Sequence, residues 1–398
     1  MSYLVIFAFI INPILTLPFV VVELLNRKPY ALVLFSIFMG LLGFVLIPSE
    51  SSDITRIYDI YNQLQYASFG QFLKFTGTQL DFLLYLYAWI LGKIGLSRQF
   101  LQFTTLFVTY YLIFKVYFDW SAKVDLGKVV KFLFFIFILF FIPFLSTYSG
   151  MRNNTALAFF IYGVYCLHFK SSKSGYVFIL LSLFTHFMAI ILVFLYLISK
   201  FVAVSTKKIR YIFLFSFLLL VIPGNPIISW LNTLSLGFDF LEQRQVSYLG
   251  GSEWSGFFLS GMSLKGKVFF VLTMLPYYWL LIYLVCTVKD SFLRKYAYIL
   301  GVFTNILSAV PGTLYKRYCV ALVFLGVLIL FDEYKVRDWY ESKRKYIYVF
   351  VILFIIMRFS DIFTMRYSVS KSYSRIYLYS VFNYFTKEFN RHDYIPDR

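Results

Sequence analysis

The sequence predicts an all-α protein: a polytopic bundle of about twelve membrane helices, some of them short or re-entrant, joined by outer loops. Hydrophobic residues make up 60% of the chain and charged ones only 14%, whereas a soluble domain carries about 25% charged residues. Mean hydropathy is +0.75. Apolar runs of spanning length recur from end to end, so the 398 residues read as a single integral membrane domain. The first run, Tyr3–Leu25, has no basic start and is followed by Arg27 and Lys28, so it is expected to stay as a helix.

In order, the spanning candidates are Tyr3–Leu25, Tyr30–Ile47, Phe100–Phe118, Val129–Ser146, Thr155–Leu167 and Arg210–Ile222. After a polar gap come Val268–Val288, Tyr296–Val310, Cys319–Phe331 and Tyr346–Met357. Leu80–Leu91 is below the roughly 20 residues that a span needs, and Gly92 and Gly95 follow it. It reads as a short helix dipping into the outer face. Tyr176–Lys200 is long, but Thr185 and His186 interrupt it, so it reads as a hairpin turning near His186.

Charge supports both choices. With them, the clusters Arg27-Lys28, Lys115 to Lys131, Lys170 with Lys173, Lys200 to Arg210, Lys289 to Lys295 and Lys335 to Lys345 fall on one face. They hold more than half of the 37 Lys and Arg residues, which makes that face cytoplasmic. The net charge of +18 is thereby explained by orientation, and nucleic acid is not an expected partner. Cys166, Cys286 and Cys319 lie in separate apolar runs and are expected to be buried packing thiols, with no disulfide framework.

The opposite face collects the scarce polar residues. The loop 48–99 begins with Asp53, Arg56, Tyr58 and Asp59, which fall near one another if the segment is helical. A carboxylate beside a guanidinium serves either as an ionised base or as a solvated ion pair. Arg152, followed by Asn153 and Asn154, stands at the edge of a span, where an ionisable group is a functional candidate. The asparagines suit a cap for a helix starting at Thr155, while the guanidinium and a helix start suit a phosphate oxyanion.

His186 is flanked by Phe184-Thr185 and Phe187-Met188, and is equally a packing residue or a donor to phosphate or sugar. The largest outer loop, Pro223–Lys267, carries Glu253 and Trp254, a pairing suited to carbohydrate. Tyr315, Lys316 and Arg317 repeat the basic-aromatic theme and could neutralise a diphosphate or reach toward head groups of membrane lipids. The basic, aromatic tail 358–398 suits an amphipathic helix on the membrane surface. No Walker motif, zinc-type cluster or dinucleotide loop is present, so no cofactor or metal is expected.

The order Asp53 and Tyr58, then Arg152-Asn153-Asn154-Thr155-Ala156-Leu157-Ala158, then Leu180-Leu181-Ser182-Leu183-Phe184-Thr185-His186 resembles the EpsG/Wzy type of bacterial polysaccharide polymerase. The helix arrangement also resembles the GT-C class of membrane glycosyltransferases. In place of the small hydroxyl residue common after the family's His, this chain has Phe187-Met188-Ala189. The resemblance implies an enzyme of the bacterial inner membrane with its active site facing the periplasm. It would transfer a growing glycan from undecaprenyl diphosphate to an incoming lipid-linked repeat unit, alongside flippase and chain-length regulator proteins. Arg152 would hold the diphosphate, His186 would support it, and Asp53 or Asp59 would assist the acceptor hydroxyl. The alternatives are a flippase for the same lipid-linked oligosaccharide and an O-antigen ligase-like transferase.

Overall fold

The computed structural model describes residues 2–50, 52–77, 82–142, 144–220, 277–287, 289–307, 312–334, 338, 341–349, 352 and 376–395. Among these the chain is helical, and its β pairing is a single parallel bridge between Ser49 and Ile395. The loop Pro223–Lys267, with Glu253 and Trp254, lies outside the described residues.

The chain forms two compact units, the first comprising Met1–Ala189, Tyr334–Ser342 and Phe354–Arg398, the second Ile190–Glu333 and Lys343–Leu353. The first unit opens with α1 (Ser2–Ile11) and α2 (Pro13–Leu25). The sequence suggested one span here, but the helix breaks at Asn12. Asn12 is extended and its side chain accepts from the Leu15 amide, while Pro13 occupies the first turn, where its missing N–H is harmless.

The body of this unit is α3 (Pro29–Val45), α7 (Phe100–Lys123), α10 (Met151–Phe169) and α11 (Ser174–Thr185). Phe35 packs on Tyr110 and Phe114, while Phe44 packs on Phe100, so α3 and α7 are antiparallel. Thr109 meets Thr155, and Tyr165 reaches Asp119, so α10 runs parallel to α7. Ser182 bonds the Ala156 carbonyl and Phe178 packs on Phe159, which makes α11 antiparallel to α10. One end of the unit therefore carries Val45, Phe100, Met151 and Thr185; the other carries Pro29, Lys123, Phe169 and Ser174.

Between α3 and α7 lie α4 (Asp53–Leu64), α5 (Phe69–Thr76) and α6 (Phe82–Lys93). Gln99 Nε2 donates to the Phe44 carbonyl at 2.5 Å, so the chain leaves α3 and enters α7 at the same end. Val129–Ser146 divides into α8 (Lys128–Phe141) and α9 (Phe144–Ser149), with extended backbone at Ile142. Among the described residues, α7 is long and apolar enough to cross a membrane by itself, while α1, α2, α3, α6 and α11 are shorter apolar helices.

The second unit contains α12 (Met188–Phe201, whose last twelve residues belong here), α13 (Thr206–Ser216), α14 (Tyr277–Cys286), α15 (Phe292–Ile306) and α16 (Gly312–Glu333). Its core holds Arg294, 0% exposed, whose Nε donates to Glu333 Oε1 at 2.5 Å. Tyr283 donates to the other Glu333 oxygen, and Arg294 Nη2 reaches Thr287 Oγ1 at 2.6 Å. Buried charge is tolerated where it is paired and its remaining donors are satisfied. Cys166 and Cys319 are buried as expected, but Cys286 is exposed, because its position in α14 faces away from the core.

The tail also departs from expectation. Its described part, 376–395, is not one amphipathic helix but a 3-10 turn at Ile376–Leu378, a short α17 (Val381–Phe385) and a second turn at Arg391–Asp393. Tyr384, Phe389 and Tyr394 are buried against the first unit, and their ring burial outweighs surface amphipathicity.

Candidate functional site

The helix carrying Arg152 begins at Met151, not at Thr155. Gly150 takes the capping position, so Asn153 and Asn154 stand inside the first turn instead of capping it. This places the guanidinium one residue into α10, at the end of the unit where α4 and α6 gather.

Asp53 is the first residue of α4, where a carboxylate is favoured by the helix dipole. Local capping does not explain its partner, which is 99 residues away. Arg152 Nη2 donates to Asp53 Oδ2 at 2.9 Å and to Oδ1 at 3.1 Å. Both carboxylate oxygens thus use one nitrogen, unlike the paired fork in which two nitrogens each hold one oxygen. Arg152 Nη1 donates to the Tyr85 hydroxyl at 3.3 Å, bringing in α6. Tyr85 is buried, with its ring edge to Phe75 at 5.4 Å. Arg56 approaches Asp53 at 4.0 Å from the exposed side. The Asp53 side chain keeps 26% exposure and that of Arg152 14%, so the pair is open enough to meet a ligand.

Three helices therefore converge on one guanidinium. Arg152, Asp53 and Arg56 came from the sequence; Tyr85 did not, because it sits in an apolar run whose pattern singles out no position. Asn153 lies beside Arg152, its Nδ2 3.5 Å from Asn154 Oδ1.

Tyr58 and Asp59 fall elsewhere on α4. Tyr58 is fully buried and donates its hydroxyl to Gln102. Burial pushes its phenol well above the ordinary value, despite the adjacent Arg98 charge, so it is a donor and not a base. Asp59 is half-buried and faces Tyr394 in the tail. His186 ends α11 with extended backbone, buried, its ring 4.6 Å from that of Phe187. Its helix end lies at the Arg152 end of the unit.

Tyr315, Lys316 and Arg317 belong to the second unit, in the first two turns of α16. Tyr315 is buried edge-on to Tyr277 at 6.0 Å, while Lys316 is exposed. No group of His, Cys, Asp or Glu among the described residues is arranged to hold a metal ion.

The sequence matches the model of the EpsG family over residues 30–392, nearly the whole chain. The chain belongs to the EpsG family. This is a Wzy-type polysaccharide polymerase family, which makes the protein a membrane protein of polysaccharide synthesis. No curated protein and no solved structure matches the chain. The match extends the likeness seen over roughly residues 30 to 200 across the second unit and into the tail of this EpsG-family protein.

Proposed function

We propose that this EpsG-family protein is a glycosyltransferase of the periplasmic face of the bacterial inner membrane. It moves a growing glycan from undecaprenyl diphosphate to a sugar hydroxyl of an incoming lipid-linked repeat unit. The observation that supports this most directly is the contact of Arg152 with Asp53 and Tyr85 at a half-open helix end.

The donor is already activated, so the reaction requires no nucleotide. The bond between the anomeric carbon and the diphosphate oxygen breaks, and its electron pair stays on the diphosphate. The acceptor oxygen bonds to the anomeric carbon and gives its proton to Asp53, which releases it to water. Arg152 holds the leaving diphosphate where negative charge grows, a role that favours a planar, permanently charged group. Arg56 adds a second cation on the exposed side. In the resting pair Asp53 is the counter-ion of Arg152; an arriving diphosphate takes over that charge and leaves the carboxylate available as a base. His186, at the same end of the first unit, is a proposed further contact to the phosphates, with Asn153 beside Arg152.

The test is chain extension by purified protein with undecaprenyl-diphosphate-linked repeat units, read as a ladder of longer glycans. The expected result is polymer formation that survives a chelator. Movement of the same lipid between leaflets of a liposome without lengthening would mean a flippase and reject the polymerase reading.

A further inference from the structure

We propose that residues 376–395 form a strap that positions the Asp53 helix, with Arg98 as its clasp. The strap's mechanical role is independent of chemistry, while its effect on turnover rests on the polymerase reading above.

The strap is anchored at both ends. Asn12 Nδ2 donates to the Tyr377 carbonyl at 2.7 Å, and at the far end Ile395 bridges the strand-like residues just before α4. The Ile395 N–H donates to the Pro48 carbonyl, and the Glu50 N–H to the Ile395 carbonyl, both at 3.0 Å. Between them Phe385 stacks on Phe100 at 5.4 Å and meets Phe44 at 5.2 Å. Gln99 Nε2 bonds the Lys387 carbonyl at 2.8 Å as well as that of Phe44. Ile47, Tyr58, Phe389 and Tyr394 close into one buried cluster, joining strap to helix.

Arg98 holds this cluster together. Its guanidinium lies over the rings of Tyr58 at 4.7 Å, Tyr394 at 5.7 Å and Phe389 at 5.9 Å, and Nη2 donates to the Phe389 carbonyl at 2.9 Å. A guanidinium can stack on rings and donate in its plane at once, which an ammonium cannot. The helix is held at Asp53 by Arg152 and, about 7.5 Å further along its axis, at Tyr58 by Arg98 together with the Tyr58–Gln102 hydrogen bond. Loss of the Arg98 contacts would loosen this second point and let the Asp53 end of the helix shift. Displacing a reacting group by about 1 Å can lower a rate about a hundredfold. The family match runs to residue 392, so most of the strap lies in the matched part of the chain.

Arg98→Ala and Arg98→Lys, each in the full chain, separate positioning from general stability. In Arg98→Ala, amide exchange across residues 53–64 should quicken about tenfold or more, while residues 151–169 stay protected. With undecaprenyl-diphosphate-linked repeat units, kcat should fall about 10- to 100-fold with the donor KM within about twofold. Arg98→Lys should recover little. Introducing Ser49→Cys with Ile395→Cys into Arg98→Ala, and oxidising the pair, should restore both protection and kcat. Unchanged exchange in 53–64, equal loosening of 151–169, or no rescue by the disulfide would overturn the strap. If wild-type protein lengthens no glycan, the polymerase reading fails, and exchange and cross-linking still decide the strap.

Discussion

Replacing Arg152 by Lys keeps the positive charge but removes the planar array that meets Asp53 through Nη2 and Tyr85 through Nη1. Turnover should drop about a hundredfold or more, because the lost donors act where the leaving diphosphate develops charge. Near-normal glycan ladders from Arg152→Lys would remove it from the mechanism. Tyr85→Phe deletes one hydroxyl and leaves the buried ring packed on Phe75. A loss of about tenfold in kcat/KM is expected, in keeping with a hydrogen bond to a charged group. A different residue-scale test applies in the second unit. Arg294→Met should destabilise that unit by about 3–5 kcal/mol, because Glu333 would remain buried without its cation. Adding Glu333→Leu should recover much of the lost thermal stability in detergent; no recovery would mean that the pair does not act as a unit.

At the scale of elements, the close approach of α10 and α11 depends on small residues. A Cβ at Gly163 would stand 2.8 Å from the Gly175 carbonyl oxygen, and a Cβ at Gly175 would stand 2.5 Å from that of Gly163. Backbone cannot yield as a side-chain tip can. Gly175→Ala should push the helices apart and lower the unfolding temperature, and an unshifted melting curve would show that the pair relaxes freely. The same scale shows what could be read from the chain. Helix content and the short helix near Leu80–Leu91 follow from run length. The Asn12-Pro13 break was also signalled by a capping residue and a first-turn proline, but a hydropathy average over Tyr3–Leu25 smooths over it. Gly150 likewise signals a boundary before Arg152, masked there by the more familiar capping role of asparagine. Charge patterning brings Arg152 and Asp53 to one face, but their direct contact and the strap were not legible, because each joins residues roughly a hundred or more positions apart through tertiary packing. Composition described the tail as basic and aromatic; it could not show that Phe389 and Tyr394 have a buried partner in Tyr58.

For the whole molecule, orientation decides whether the proposed chemistry is possible. The helix directions of the first unit bring Arg27 and Lys28 before α3, Lys123 at the end of α7, and Lys170 and Lys173 between α10 and α11 to one end. Asp119 ties two of the neighbouring cations, with Lys115 at 2.8 Å and Lys170 at 2.6 Å, which leaves the rest of that end strongly positive. Basic residues at helix ends stay in the cytoplasm, so the Asp53–Arg152 end should face the periplasm, where the only activated sugars are lipid-borne. Single cysteines at Lys93 and Lys123, both exposed, report the two ends in a protein with Cys286→Ser. In intact spheroplasts a membrane-impermeant maleimide should modify position 93, and position 123 only after permeabilisation. The reverse pattern would turn the guanidinium toward the cytosol. A site there would have nucleotide sugars within reach, and the case for a lipid-diphosphate donor would lose its physical basis.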